Sequence, residues 1–345
     1  MPPISSTLEE LGWRPFFQRQ IPLESWDRPV MRVAAQHRDR LELLGPSGAA
    51  DLHLSPGMPP VTVGDWLVLS PEGCFESLLG RQSLFSRKAA GRKVDEQLIA
   101  ANVDTVFVVT SLDEDFNLNR IERYLSLVHE AGATPVVVLT KADLCPDTAP
   151  LKRQVQNLDP LLVVEAVNGL DTDDVERLAP WCGVGETVAL MGSSGVGKST
   201  LVNGLLGREV QRTGAVREAD SKGRHVTTGR SLHRIPTGGW LLDTPGMREL
   251  QLADCHAGLA VTFTDIESLA KCCRFGDCRH DGEPGCAVQD AIDRGELDAR
   301  RLASYRKLLR EQAVNAATLA EKHARDRRFG KMIKAHLAEK RRQGR

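Results

Sequence analysis

Residues 188–202, Val-Ala-Leu-Met-Gly-Ser-Ser-Gly-Val-Gly-Lys-Ser-Thr-Leu-Val, carry the densest chemical pattern in the chain. An apolar run is followed by Gly192-x-x-x-x-Gly197-Lys198-Ser199 and then by what reads as the first turn of a helix. That strand–loop–helix setting is what a P-loop requires. Glycines let successive backbone N–H groups curl toward phosphate oxygens, and the helix N-terminus adds partial positive charge. Gly192, Ser193, Ser194, Gly195, Val196, Gly197, Lys198, Ser199 and Thr200 are therefore expected to cradle a nucleotide polyphosphate. Lys198 has the reach to stabilise charge on the β- and γ-phosphates, which makes it a candidate catalytic group. The Ser199 hydroxyl can ligate Mg²⁺.

Two further motifs end apolar strands. Asp243-Thr-Pro-Gly246 lies downstream of the P-loop. Asp243 would hold Mg²⁺, and the Gly246 N–H would touch the γ-phosphate. Thr140-Lys141-Ala-Asp143 is a base-reading pattern: Asp143 can accept from the paired N–H donors of guanine, which adenine lacks, and the Lys141 stem can lie on the base face. Val164-Glu165-Ala166 follows on the next strand, and the Ala166 N–H is a candidate donor to guanine O6. The base reader and guanine loop thus precede the P-loop and D-x-x-G, whereas in ordinary GTPases they follow both, a circular permutation. A separate motif, Cys273-x4-Cys278-x-His280-x5-Cys286, offers three thiolates and one imidazole, the donor set of a closed tetrahedral zinc site. With no ligand position left open, such a zinc is structural. Cys272 is adjacent and competes on type alone.

The elements that must position these groups are legible in outline. Residues 28–85 read as short strands punctuated by Gly-Pro-Ser-Gly and Ser-Pro-Gly turns, a small β-barrel of OB, SH3-like or meander type. From residue 95, strands near 103–110, 135–140, 161–165 and 187–191 alternate with helices near 117–130 and 171–178, which argues for a parallel α/β unit. Residues 231–235 and 239–243 read as a hairpin. Residues 1–27 read as an extended arm and 86–94 as a basic loop, either a solvated linker or a phosphate contact. Beyond 247 the chain is polar and Cys-bearing, with helical patterns at 288–292 and 297–312.

With Val63-Gly-Asp-Trp66, Ala101-Asn-Val-Asp104 and Gly223-Arg-His225-Val-Thr227-Thr228 added to the permuted motifs and the cysteine cluster, the chain resembles the ribosome small-subunit-dependent GTPase A family, the circularly permuted YjeQ/RsgA-type GTPases. The resemblance spans roughly residues 30–335. It implies a multidomain chain with an N-terminal all-β OB-type barrel, a central α/β circularly permuted P-loop GTPase and a C-terminal, mostly helical zinc-binding domain. The expected boundaries are 1–27 (arm), 28–85 (OB fold), 86–254 (GTPase) and 255–345 (zinc domain and basic tail). It also implies hydrolysis of GTP to GDP and phosphate with Mg²⁺, stimulated by the 30S subunit, in late small-subunit assembly, with 16S rRNA contact. It selects Cys273 over Cys272 as the first zinc ligand. Switch I would lie at 211–230, where Thr227 or Thr228 senses Mg²⁺ and the γ-phosphate. Met247 stands where Ras-like GTPases use Gln to orient water, so another group must act. His225 is the candidate, the alternative being that it only shapes the loop.

Composition is that of an ordinary globular chain, with 41% hydrophobic and 26% charged residues. No signal peptide or membrane-length apolar run is evident, so a cytoplasmic monomer without membrane contact is expected. The net charge of −1 hides a basic tail: residues 322–345 hold ten Lys/Arg against two acids, about +8. That tail reads either as solvated or as an RNA contact. An ATP-using P-loop enzyme and a non-catalytic RNA-binding module are the rival readings.

Overall fold

The computed structural model of the chain describes residues 7–88, 96–113, 115–208, 230–244, 247 and 255–316. The N-terminal strands are β1 (Val30–Gln36), β2 (Arg40–Gly45), β3 (Gly48–His53), β4 (Trp66–Leu69) and β5 (Phe75–Leu78), in the antiparallel order β3-β2-β1-β4-β5. Period-two alternation along β2 turns Leu41 and Leu43 inward, onto Met31, Val33, Leu52, Leu67 and Leu69. The outer strands β3 and β5 share no ladder among the described residues, so this unit is an antiparallel sheet rather than a demonstrably closed barrel. β1 instead continues outward, with Ala35 and Gln36 opposite Ser231 and Arg230. The N-terminal strands thereby join the central ones in a single eleven-stranded sheet.

Residues 7–27 of the expected extended arm are in fact folded. Pro15, with its preset φ, opens the short helix α1 (Pro15–Gln18), and Leu11 and Phe17 are buried. Trp13 meets the buried Trp66 edge-on at 4.8 Å between ring centroids, and Phe17 lies 5.8 Å from it. Burial of these aromatics outweighs the local Pro/Gly preference for extension. Part of the expected basic loop is also regular, since β6 (Leu84–Lys88) pairs with β7 (Glu96–Ala101).

A polar joint locks the N-terminal strands to the central sheet. Buried Arg32 donates to the carbonyls of Leu11 (2.6 Å) and Asn102 (3.2 Å) and to Thr187 Oγ1 (2.8 Å). Asn102, itself at φ 55°, donates from Nδ2 to the Gly64 carbonyl (2.9 Å) and accepts from Gln82 N–H (2.9 Å). Asp65 binds Arg81 (2.7 Å), and Asp104 accepts from Thr187 N–H (2.8 Å). The segments 63–66 and 101–104 are therefore two halves of one structural joint.

The central strands β8 (Thr105–Ser111), β9 (Thr134–Thr140), β10 (Val163–Ala166), β11 (Thr187–Met191) and β13 (Trp240–Asp243) are all parallel, in the order β10-β9-β8-β11-β13; β12 (Arg230–Arg234) is antiparallel to β13. Their near-continuous apolar runs fit a sheet covered on both faces. Helices α2 (Leu118–Ala131), α3 (Ala149–Gln156), α4 (Thr172–Glu176) and α5 (Lys198–Leu206) connect them. α2 is the best specified: the Asn117 side chain caps its start and Gly132, left-handed, ends it.

Helices α6 (His256–Thr262), α7 (Thr264–Ala270), α8 (Ala287–Asp293) and α9 (Ala299–Ala316) follow, with α6 and α9 packed on α2. The joint is ionic at its centre. Glu122 is fully buried and accepts from Arg301 (2.9 Å) and from both terminal nitrogens of Arg300 (3.0 and 3.1 Å). Arg301 also binds Asp265 (2.5 Å) and lies over the Phe263 ring. At the rim, Arg123 pairs with Glu311 at 2.7 Å.

Candidate nucleotide site and metal cluster

Because the five central strands run the same way, Ser111, Thr140, Ala166, Met191 and Asp243 all end on one sheet edge, where open α/β sheets bind ligands. The structure thus gathers there the Thr140–Asp143 turn, the Ala166 turn, the P-loop and the start of D-x-x-G, which are scattered over about a hundred residues of sequence.

At the P-loop, Gly192, Gly195 and Gly197 have φ of 157°, 82° and 90°. Gly192 is also sterically obligatory, since a Cβ there would stand 2.2 Å from the Val109 carbonyl oxygen. α5 starts at Lys198 with no side-chain cap, which leaves the first-turn N–H groups to a ligand. Lys198 is buried, and its Nζ donates to the Ser193 carbonyl. Ser194 and Gly195 are exposed at the loop's tip, Val196 is buried, and Ser199 and Thr200 are half-buried in the first turn of α5. Ser193 is not idle: its Oγ accepts from Arg120 (2.9 Å) at the start of α2, and Arg120 is held by Asp115 (2.5 Å).

Thr140 turns out to brace the phosphate loop. Its Oγ1 donates to the Val196 carbonyl (2.6 Å) and lies 3.2 Å from the Thr110 carbonyl. Lys141 is left-handed at φ 58°, and its Nζ pairs with Asp113 at 2.6 Å. Asp113 accepts in addition from Ser111 Oγ (2.6 Å) and the Asp115 N–H (3.0 Å). Hydrogen bonds from Lys141 first, then from Ser111, hold its carboxyl at about 2, well below the usual range. Asp143, one turn on, is exposed, with no partner among the described residues. Ala166 ends β10, and its carbonyl accepts from Arg177 (2.9 Å). Arg177 also binds Glu165 (2.6 Å), which neutralises that carboxylate. The Ala142 N–H donates to the Val167 carbonyl (3.3 Å), tying the two base-side turns together.

Asp243 is half-buried at the end of β13. The next residue, Thr244, is buried, and its hydroxyl has no partner among the described residues, which suits a site whose remaining oxygens arrive with Mg²⁺ and nucleotide. Met247 is buried and offers no donor or acceptor suited to a water. Gly246, His225, Thr227 and Thr228 lie outside the described residues.

The cysteine cluster forms between α7 and α8. The ligand atoms of Cys273, Cys278, His280 and Cys286 all lie within 4.8 Å of one another. His280 Nδ1 is 3.6 Å from Cys273 Sγ and 3.5 Å from Cys286 Sγ. Bonds of about 2.3 Å to sulfur and 2.0 Å to nitrogen in a tetrahedron imply about 3.5 Å between them, so the donors fit zinc. Cys272 is outside the group, pointing to the Ser268 carbonyl. Glu283, which sequence reasoning passed over, staples the loop by accepting from the N–H groups of Arg279 (2.9 Å) and Asp281 (2.6 Å). Its spacing, three residues after His280 and three before Cys286, was the available signal.

A family model described as RsgA GTPase matches residues 78–253. The "Small ribosomal subunit biogenesis GTPase RsgA 2" of Vibrio parahaemolyticus is 59% identical over 338 residues, 98% of this chain and 94% of that one. The chain belongs to the RsgA GTPase family. A relative from Mesorhizobium japonicum, "Small ribosomal subunit biogenesis GTPase RsgA", is 48% identical over 90% of this chain and 91% of its own. Among solved structures, YjeQ from Thermotoga maritima aligns with a TM-score of 0.63 over 82% of this chain and 98% of that one at 24% identity. YloQ, titled a circularly permuted GTPase, aligns at 0.60 over 86% and 99%, at 21% identity. These two show the circularly permuted GTPase fold. Among the described residues no helix is long and apolar enough to cross a membrane.

Proposed function

We propose that this RsgA-family chain hydrolyses GTP to GDP and phosphate and acts in biogenesis of the small ribosomal subunit. The names of the relatives support that role. The observation that carries the nucleotide reading is the convergence of the Lys141–Asp143 turn, the Ala166 turn, the P-loop and Asp243 on one sheet edge. Asp143 reads guanine, the Lys141 stem lies on the base and the Ala166 N–H donates to O6. Backbone N–H groups from Gly192 to Thr200 hold the phosphates, and Lys198 binds phosphate oxygen. Ser199 and Asp243 hold Mg²⁺, which neutralises charge on the phosphates when bound. The Gly246 N–H and the hydroxyl of Thr227 or Thr228 sense the γ-phosphate, and His225 orients the attacking water in place of a Gln.

The finer assignments follow the same line. The N-terminal strands act as an OB-type module (28–85), 86–254 as the permuted GTPase and 255–345 as a unit stiffened by one structural zinc on Cys273, Cys278, His280 and Cys286. The factor works as a cytoplasmic monomer late in 30S maturation. Its basic tail contacts 16S rRNA, and hydrolysis releases it. Asp143→Asn tests the base reading: GDP affinity should fall at least a hundredfold while xanthosine diphosphate gains. Unchanged guanine preference, or equal binding of ADP by the unaltered chain, would instead favour a general P-loop NTPase.

A further inference from the structure

Lys141 must lie along the base if the base-reading assignment above holds, yet a free lysine loses much rotamer freedom on being ordered. This lysine is fixed at both ends by the protein itself. Its backbone takes the left-handed conformation, shared among described non-glycine residues only with Asn102 in the polar joint and His280 in the metal cluster. Such strain in a non-glycine residue persists only where surrounding structure enforces it. Its Nζ is seated on Asp113 at 2.6 Å. Asp113 is fixed in turn by the Ser111 hydroxyl and the Asp115 N–H, and Asp115 anchors Arg120 against Ser193 of the P-loop. The segment 111–117 between β8 and α2 is thereby tied to the base side by one carboxylate and to the phosphate side by the other.

We propose that Asp113 is a positioning residue for guanine-nucleotide binding: through its ion pair with Lys141, referenced to the P-loop by Asp115 and Arg120, it presets the lysine stem as the shelf for the base. The inference rests on the reading of Lys141 and Asp143 as base readers. The low carboxyl pKa of Asp113 is consistent with it, because the carboxylate stays ionised throughout the neutral range. Nothing in the pair touches the γ-phosphate, so the contribution should be the same for GTP and GDP and should appear in binding rather than turnover.

The test is a double-mutant cycle in the full chain with GDP and GTP, using Asp113→Asn, Lys141→Met and the double variant, and Ser111→Ala as a milder second perturbation of the same carboxylate. Asp113→Asn should weaken both nucleotides about tenfold, roughly 1.4 kcal/mol. It should raise KM in proportion and leave kcat at saturation within twofold. In the Lys141→Met background it should cost less than twofold. Ser111→Ala should weaken both nucleotides two- to threefold with the melting temperature retained. Binding within twofold of the unaltered chain, or an equal loss in both backgrounds, overturns the proposal, since a purely structural role would be blind to Lys141. Asp143→Asn run in parallel separates the two readings. If it fails to favour xanthosine diphosphate, the base-reader assignment falls and the proposal with it. If it does favour xanthosine diphosphate while the Asp113 cycle is flat, only the proposal falls.

Discussion

Glu122→Ala should undock the C-terminal helices from α2 without unfolding the central sheet. The carboxylate is fully buried and is the only acidic group shared by Arg300 and Arg301 among the described contacts. Removing one member of a buried ion pair costs about 3–5 kcal/mol, because the partner is left desolvated and unpaired. Here the lower end applies. Arg301, 6% exposed, keeps Asp265 and the Thr262 carbonyl, and Arg300, 29% exposed, can turn to water and Asp298. The expected loss is therefore about 3 kcal/mol, and Glu122→Gln, which retains an acceptor, should lose about 1–2 kcal/mol. A chain of several packed units need not unfold in one step, so a global melting curve is the wrong assay. Native-state hydrogen exchange resolves the units. Amides of α6 and α9 should exchange roughly a hundredfold faster, each 1.4 kcal/mol being about a factor of ten. Those of β8 and β9 should be unchanged. Exchange in α9 within threefold of the unaltered chain, or an acceleration spread equally through the central sheet, would refute this reasoning.

Thr140→Val removes the donor to the Val196 carbonyl while keeping shape. An orphaned buried acceptor costs about 1–3 kcal/mol, so all nucleotides should bind about tenfold more weakly by equilibrium titration, with Thr140→Ser restoring affinity. Metal analysis should find one zinc per chain, and chelation or Cys273→Ser should raise hydrogen exchange selectively between α7 and α8; absence of zinc contradicts the metal assignment. His129, on α2 beside Thr262 of α6, has its pKa lowered by burial, partly offset by Asp159. Its folded value lies below the unfolded value of about 6.5, so its stabilising neutrality is complete above that pH and is lost as pH falls from 6.5 toward the folded value. Hydrogen-exchange protection of α6, corrected for intrinsic exchange rates, should fall less between pH 7.5 and 5.5 in His129→Asn than in the unaltered chain.

What was legible in the sequence is what backbone geometry and ligand chemistry force to be local. Gly192 and Gly197, the Cys/His spacing and the caps of α2 each leave a signature within a few residues. Pairings across the fold leave none. Arg32 joins Leu11, Asn102 and Thr187, and Glu122 meets Arg300 and Arg301 nearly 180 residues away. Even there a faint signal existed: Glu122 falls on the stripe formed by Leu118, Ile121 and Leu125, where a carboxylate must be paired to be tolerated. The sequence places Thr140 in a base-reading pattern at a strand end; only the neighbour relation of β9, β8 and β11 reveals that its hydroxyl also reaches the P-loop carbonyl. The arm was misread as extended because its partner, Trp66, is fifty residues away.

The most direct measurement is the GTP turnover of the purified full chain with and without purified small ribosomal subunits, with ATP as control. A slow intrinsic GTPase accelerated at least tenfold by small subunits, with no ATP hydrolysis, is the predicted result. Turnover that is indifferent to the subunit, or equal with ATP, would contradict the assignment.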